Sequence, residues 1–465
     1  MKNKKLNVQD IKLEYWLLGL ILVFALFLRV YALGNSPLWI DESISAIASK
    51  NIIETGFPML DSGAGYSRAY VFHYAEAFFL LFGMNDFNAR IFSVIIGLLT
   101  ILLAYFIGKE YSKSGGIISA LFFAVFYLEV FYSRGGRFYQ LFQLMFFLSL
   151  FLLYKSKDKK YMIYPALISM FVTINTQLAG LVLVPFFVIH ILVYNRKQWY
   201  LSIIPLIPLA YNFIGVLGVT SGTETAVNYI SGYSGYTRNI KYLFILLILG
   251  VVWSFIKNKR LTILVAVPSI CLLFGVFFVK LFALRYMYFF VFPMVLYSSL
   301  LMAYFYDKFG KWIIPSIILL LLFPSNIFFD FSYVNIVMPI GHNLNEYSAP
   351  KIDYKSIPDS LKNDMKDNKI MTFFSPGVEW YIKKPDYVFP FSMTGIGSDS
   401  VSYNGKDIYS GAEIKTDKPE GKFYFIVDTF ALSKLKTSQR DKFDEIINGC
   451  ENIYANRDLT IYYCQ

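Results

Sequence analysis

The sequence predicts an all-α polytopic membrane domain with interfacial helices, followed by a small extracytoplasmic α/β domain. Three observations predict it. Of the 465 residues, 56% are hydrophobic and only 16% charged, against roughly 25% charged in an average soluble domain. Apolar runs long enough to cross a bilayer, ~20 residues each, recur through the first two thirds of the chain. Beyond about residue 330 the composition shifts to alternating strand-like and polar stretches. The membrane domain is therefore placed at 1–330, with 34–87 as its first outer loop, and the α/β domain at 331–465.

About eleven spans are expected, near 15–33, 88–108, 115–132, 139–154, 161–176, 178–195, 199–218, 239–256, 261–279, 286–305 and 312–330. Lys2, Lys4, Lys5 and Lys12 precede the first run, which has no clear small-residue cleavage site and reads as a retained span. The segment Ala69–Gly83 is too short to cross and carries His73 and Glu76, so it reads as an interfacial helix. The lysine pattern supports that choice. With the N-terminus inside, Lys109 and Lys113, the run Lys155–Lys160, Arg196 and Lys197, the run Lys257–Arg260, and Lys308 and Lys311 all fall on the cytoplasmic side. Counting Ala69–Gly83 as a span would put several of these clusters outside. The expected location is a multi-pass protein of the cell membrane, with the N-terminus cytoplasmic and residues 331–465 extracytoplasmic. The net charge of +11 is explained by these loop clusters, and nucleic acid is not an expected partner.

In the tail, "KIMTFFS", "KFYFIVDTF" and "NIYANRDLTIYYC" read as strands and "SKLKTSQRDKFDEIINGC" as helix. Three cysteines are too few for a disulfide framework. Cys450 and Cys464 are expected to pair, given an outer location and a hairpin between them.

The ionisable residues of the expected outer face gather in four places. "PLWIDESISAIASK" carries the adjacent acids Asp41 and Glu42 at the start of a helix-like pattern. Asp41 reads either as a helix N-cap or as a general base at the membrane surface. "FYSRGGRFYQL" places Arg134, Arg137 and Tyr139 around Gly135 and Gly136. Arginines here serve either as headgroup anchors or as a phosphate clamp, since a guanidinium holds phosphate oxygens bidentately. "GAGYSRAYVFHY" supplies Tyr66, Arg68 and His73, and "LFALRYMYFF" supplies Arg285. Four arginines and a histidine beside an acid pair suit an anionic, lipid-linked substrate. There is no P-loop, GxSxG, HExxH, CxxC or Asp-x-Asp motif.

The order "WIDES", "YSRAYVFHY", "NARIFSVIIGLLTILLAYFIGKEY", "YSRGGRFYQL" and "RYMYFFVFP" resembles the GT-C glycosyltransferases, in the branch of protein O-mannosyltransferases and aminoarabinose-type lipid transferases. The likeness covers about residues 15–305. It implies a multi-span fold and a polyprenyl-phosphate (dolichyl or undecaprenyl) sugar as donor. The acceptor would be a hydroxyl of a protein, lipid or glycan, attacked on the extracytoplasmic face with inversion. It implies Asp41 and Glu42 as catalytic. From their placement at the outer face, Arg137, Arg285, Tyr139 and Arg68 are expected at the donor phosphate, and His73, Tyr66 and Arg134 at the substrate. No cofactor is implied, with a divalent metal left open. The chain departs from the pattern at "SRGG", where relatives carry an acid; Glu42 or Glu129 takes that place, or the second carboxylate serves only acceptor choice. "WWD" is absent, which argues against en bloc transfer to asparagine. The competing readings are a flippase or transporter of lipid-linked sugars, which would place ionisable groups near the midplane, and a non-catalytic assembly protein.

Overall fold

The computed structural model describes residues 8–217, 241–276, 285, 288–317, 352–391 and 402–465. The expected outer loop 219–238 and most of the last expected span lie outside these residues. Contacts divide the chain into two compact units, Met1–Leu33 with Ile91–Tyr347, and Gly34–Arg90 with Ser348–Gln465.

The described helices up to residue 309 are α1 (Val8–Val30), α2 (Ile40–Thr55), α3 (Tyr70–Leu80), α4 (Asp86–Lys109), α5 (Lys113–Val125), α6 (Tyr127–Ser133), α7 (Tyr139–Ser156), α8 (Ile163–Thr176), α9 (Leu183–Tyr194), α10 (Leu206–Leu217), α11 (Lys241–Lys257), α12 (Lys259–Val276) and α13 (Tyr288–Phe309). They fall on the first ten expected apolar segments, but among the described residues eleven spans are not shown. Among the described residues, three helices are long and apolar enough to cross a membrane: Leu13–Val30, Asp86–Lys109 and Tyr288–Ile317. The pair α5 and α6, bent by 62°, makes a fourth if taken as one span. The physical reason is interruption. Short 3-10 turns at Lys160–Met162, Leu178–Val182 and Arg196–Ile203 separate segments that read as longer runs in sequence.

Helices in the first unit meet backbone to backbone where glycine permits it. A Cβ on Gly250 of α11 would lie 2.1 Å from the Tyr297 carbonyl oxygen of α13, and one on Gly108 of α4 would lie 2.4 Å from that of Gly115. Such close approach is how helices associate without a hydrophobic driving force. Ser119 and Ser299 share a hydrogen bond of 2.8 Å across α5 and α13, and Phe147 stacks on Phe292 at 4.0 Å.

The second unit is built around a mixed sheet. Its further elements are α14 (Asp359–Asp367), β1 (Lys369–Thr372), α15 (Ser375–Tyr381), β2 (Tyr387–Val388), β3 (Ser402–Tyr403), β4 (Lys406–Asp407), β5 (Glu413–Ile414), β6 (Phe423–Asp428), α16 (Thr429–Ser433), α17 (Thr437–Ile447), β7 (Glu451–Ala455) and β8 (Leu459–Cys464). The strand order is β3-β4-β5-β2-β1-β6-β8-β7. The central strands β5, β2, β1 and β6 are parallel and the flanks antiparallel. The strands read from sequence are β1, β6, β7 and β8. The two-residue strands were not legible because they are too short to show a period. Cys450 and Cys464 form the expected disulfide across the β7–β8 hairpin.

One face of α2, Ile40, Ile44 and Ala48 at spacing four, is buried in the same core as Ile370, Phe373, Phe389 and Phe425. Leu38, Ala46, Leu80 and Ala89 form a second cluster with Trp380 and Tyr381 packed against it. Asp86, at the start of α4, accepts from Trp380 Nε1 at 2.9 Å and the Tyr381 hydroxyl at 2.8 Å, and pairs with Lys355 at 2.6 Å.

Burial pushes the Glu379 carboxyl up to about 9, helped by a hydrogen bond to Asp61 and by its charge, against Lys50 and Lys384. Burial would also raise Asp61, but Glu379, Asn51, Lys50 and Lys384 outweigh it and hold Asp61 below its ordinary value. The folded Glu379 carboxyl keeps its proton up to about 9. The unfolded chain releases it near 4.5, so the folded chain binds more protons between 4.5 and about 9. Stability from this group is full below that window and declines as pH rises through it. Glu379→Gln, which keeps the group neutral, is expected to flatten the decline and to raise the thermal midpoint of the full chain at pH 8. Melting curves from pH 5 to 9 check this, and equal slopes for both proteins would contradict it.

Candidate active site

The acid pair lies at the head of α2. The N-cap position falls to Trp39, which disposes of the capping explanation for Asp41. The capping contact is made by Glu42, whose Oε2 accepts from the Trp39 backbone N–H at 3.0 Å. Glu42 is 1% exposed. Arg90 grips it bidentately, Nε to Oε1 at 3.0 Å and Nη2 to Oε2 at 2.7 Å. The same guanidinium donates to the carbonyls of Ser36 and Pro37 at 2.7 and 2.9 Å. Residues 36–42 are thereby held as a rigid entry to the helix. Asp41 is half-buried on the first turn, where the helix dipole favours a carboxylate. Arg90 was missed in sequence; a charge in the first turn of an apolar helix was the signal.

His73 lies in the closed interior between α2 and α3, at 0% exposure. Ser49 Oγ donates to Glu76 Oε2 at 2.6 Å and sits 3.1 Å from His73 Nδ1. A hydroxyl has one proton, so with that proton on Glu76 the ring's Nδ1–H donates to Ser49. Tyr66 meets the His73 ring edge-on at 5.0 Å. Arg68 is exposed, directly before Ala69, whose φ of 50° is rare for a residue with a Cβ. Tyr66 and His73 thus come together, and His73 braces two helices.

In the other unit, one nitrogen of Arg134, Nη1, donates to the carbonyls of Leu28, Arg29 and Tyr31 at 2.9–3.0 Å. It closes the C-terminus of α1, where unpaired carbonyls need donors. Arg137 is buried with its guanidinium 4.5 Å over the Phe138 ring. Tyr139 opens α7 and meets Tyr132 edge-on at 6.0 Å. Arg285 is half-buried, three residues before α13. Behind them lies a buried polar group that sequence reading did not assemble. Glu129, Gln140, Gln143 and Tyr288 are joined by hydrogen bonds. Glutamines at i and i+3 within an apolar helix were its signal. Among the described residues, no group of three or more His, Cys, Asp or Glu is arranged to hold a metal.

Residues 69–221 match the family model for dolichyl-phosphate-mannose-protein mannosyltransferase. No curated protein matches the chain. Among solved structures, the chain is similar to ArnT from Cupriavidus metallidurans in the apo state, with a TM-score of 0.63 at 10% identity over 96% of this chain and 97% of that one. It is similar to the same protein bound to undecaprenyl phosphate, with a TM-score of 0.61 at 11% identity and the same coverage. The archaeal oligosaccharyltransferase AglB from Archaeoglobus fulgidus gives 0.58 at 11% identity over 91% and 70%. The expected likeness to GT-C glycosyltransferases of the ArnT and protein mannosyltransferase kind is borne out.

The Glu42–Arg90 pair carries a direct expectation. Breaking a buried pair strands a charge at a cost of about 3–5 kcal/mol, whereas replacing both by apolar residues is often neutral. Arg90→Ala should therefore be strongly destabilised, and Arg90→Met with Glu42→Leu should recover most of the loss. Chemical denaturation in detergent checks this, and equal stability of the single and double variants would contradict it.

Proposed function

We propose that this chain, which has the GT-C fold and carries the mannosyltransferase signature over residues 69–221, transfers a sugar from a polyprenyl phosphate to a hydroxyl acceptor at the extracytoplasmic face. The observation that carries this reading is the end-to-end likeness to ArnT bound to undecaprenyl phosphate. Asp41 takes the acceptor's proton. The new bond forms between the acceptor oxygen and the anomeric carbon, the bond from that carbon to the phosphate oxygen breaks, and polyprenyl phosphate leaves with inversion. Arg137, Arg285, Tyr139 and Arg68 are assigned to the donor phosphate, whose developing charge the arginines stabilise. Glu42 acts by fixing the helix start that bears Asp41, Arg134 by closing α1, and His73 with Tyr66 by bracing α2 and α3.

The second unit supports this orientation. Its core joins residues from 40–64 with residues from 352–464, which favours one side of the membrane for both stretches and an even number of crossings between them. The Cys450–Cys464 disulfide favours the oxidising, extracytoplasmic side. The one-sided lysine clusters give the same orientation.

Membranes containing the chain, incubated with labelled polyprenyl-phosphate sugars, identify donor and product. Asp41→Asn should still insert and bind donor but lose about 10²–10⁴-fold in turnover; near-normal turnover would remove Asp41 as the base. Arg285→Lys keeps the charge and loses the planar fork, so it should retain some donor binding and lose much of the rate. Arg285→Ala should lose both. Normal binding and transfer in Arg285→Ala and Arg137→Ala would sink the phosphate clamp.

A further inference from the structure

We propose that Glu129 is a positioning residue that sets the separation of the two phosphate-binding arginines, Arg137 and Arg285. The inference rests on the donor-site reading above and adds to it the group that holds the site's geometry. Glu129 is 1% exposed. It lies on α6, just past the break at Phe126, whose extended ψ of 124° ends α5 and starts the bend. A carboxylate buried in such a place is costly unless several donors meet it.

The donors come from two other helices. Glu129 Oε1 accepts from Gln143 Nε2 at 3.0 Å, and Oε2 accepts from the Tyr288 hydroxyl at 2.8 Å and from Gln140 Nε2 at 3.4 Å. Gln140 and the Tyr288 hydroxyl are themselves hydrogen-bonded. Gln143 Nε2 also reaches the Tyr288 carbonyl at 3.3 Å, and Gln140 Nε2 reaches Thr100 of α4 at 3.0 Å. Tyr132 of α6 stacks on the Tyr288 ring at 4.0 Å.

The consequence lies in chain distance. Arg137 is three residues before Gln140, and Arg285 is three residues before Tyr288. The loop bearing Arg137 leaves α6 and enters α7, and both of its ends are tied to Glu129. Arg285 stands three residues before Tyr288 of α13, which is tied to the same carboxylate. Glu129 thus bonds to both helices that follow these arginines in the chain. Two cations grip a phosphate together only at a fixed spacing, because bidentate recognition is geometric. An aliphatic junction would pack but would not fix that spacing.

The test uses the full chain in nanodiscs with undecaprenyl phosphate and dolichyl phosphate as binding probes. Glu129→Gln keeps the volume and should weaken phospholipid-carrier binding about tenfold, the scale of one hydrogen bond to a charged group. Its melting should stay near that of the wild type. Glu129→Gln should add little to the loss already produced by Arg285→Ala, while Asp41→Asn should multiply independently on turnover. Tyr288→Phe, which removes one bond and leaves the carboxylate, runs in parallel and should weaken binding in the same direction, so a folding failure of Glu129→Gln still leaves a reading. Unchanged carrier affinity in the folded variants, or effects of Glu129→Gln and Arg285→Ala that multiply independently, overturns the proposal. A wild-type chain that binds neither carrier overturns the donor reading and the inference with it, an outcome distinct from normal wild-type binding with indifferent variants.

Discussion

The apolar face of α2, Ile40, Ile44 and Ala48, is buried in a core completed by Ile370, Phe373, Phe389 and Phe425, more than 300 residues further along the chain. Each buried isoleucine contributes about 1.5–3 kcal/mol. That shared core constrains the rest of the structure. It binds the segment after the first helix to a sheet made at the C-terminus, and it leaves α2 no freedom to slide. Asp86, held by Trp380, Tyr381 and Lys355, adds a polar tie between the same two stretches.

On that scaffold, burial sorts the acidic residues by role. Glu42 is locked by Arg90, with both carboxylate oxygens engaged. Glu76 accepts from Ser49, and Glu129 accepts from three side chains. Asp41 differs in being half-buried at a helix start whose capping contact another residue makes. Two adjacent acids that look equivalent in sequence are therefore inequivalent in burial. The arginines divide in the same way. Arg90 organises a helix entry, Arg134 closes a helix end, and Arg137 is buried against the Phe138 ring.

Glycine sets how closely the helices of the first unit approach. At Gly108 and Gly250 the neighbouring backbone occupies the space a Cβ would take. In lipid, where apolar burial gives little preference for helix over tail, such contacts and side-chain bonds like Ser119–Ser299 carry the association. The Glu129 network has the same logic at higher stakes: fully satisfied it rigidifies, and with one member lost it leaves a buried carboxylate short of donors.

The sequence by itself determined the class of the protein. Apolar runs, lysine clusters between them and a tail of balanced charge predict a largely helical, apolar region followed by a small α/β part, because hydropathy and charge are local properties that each segment carries alone. The longer strands, the hairpin and its disulfide were legible for the same reason: alternation and the paired cysteines are written in consecutive residues. The order of short motifs sufficed for the GT-C likeness. Only the tertiary structure showed that Glu42 is gripped by Arg90, because Arg90 is 48 residues away. It alone assembled Glu129 with Gln140, Gln143 and Tyr288, the last 159 residues distant, and it alone put residues 34–90 and the C-terminal sheet in one core. Such pairings depend on where helices cross and how deeply each side chain is buried. Those are properties of the packed chain as a whole, which no local pattern encodes.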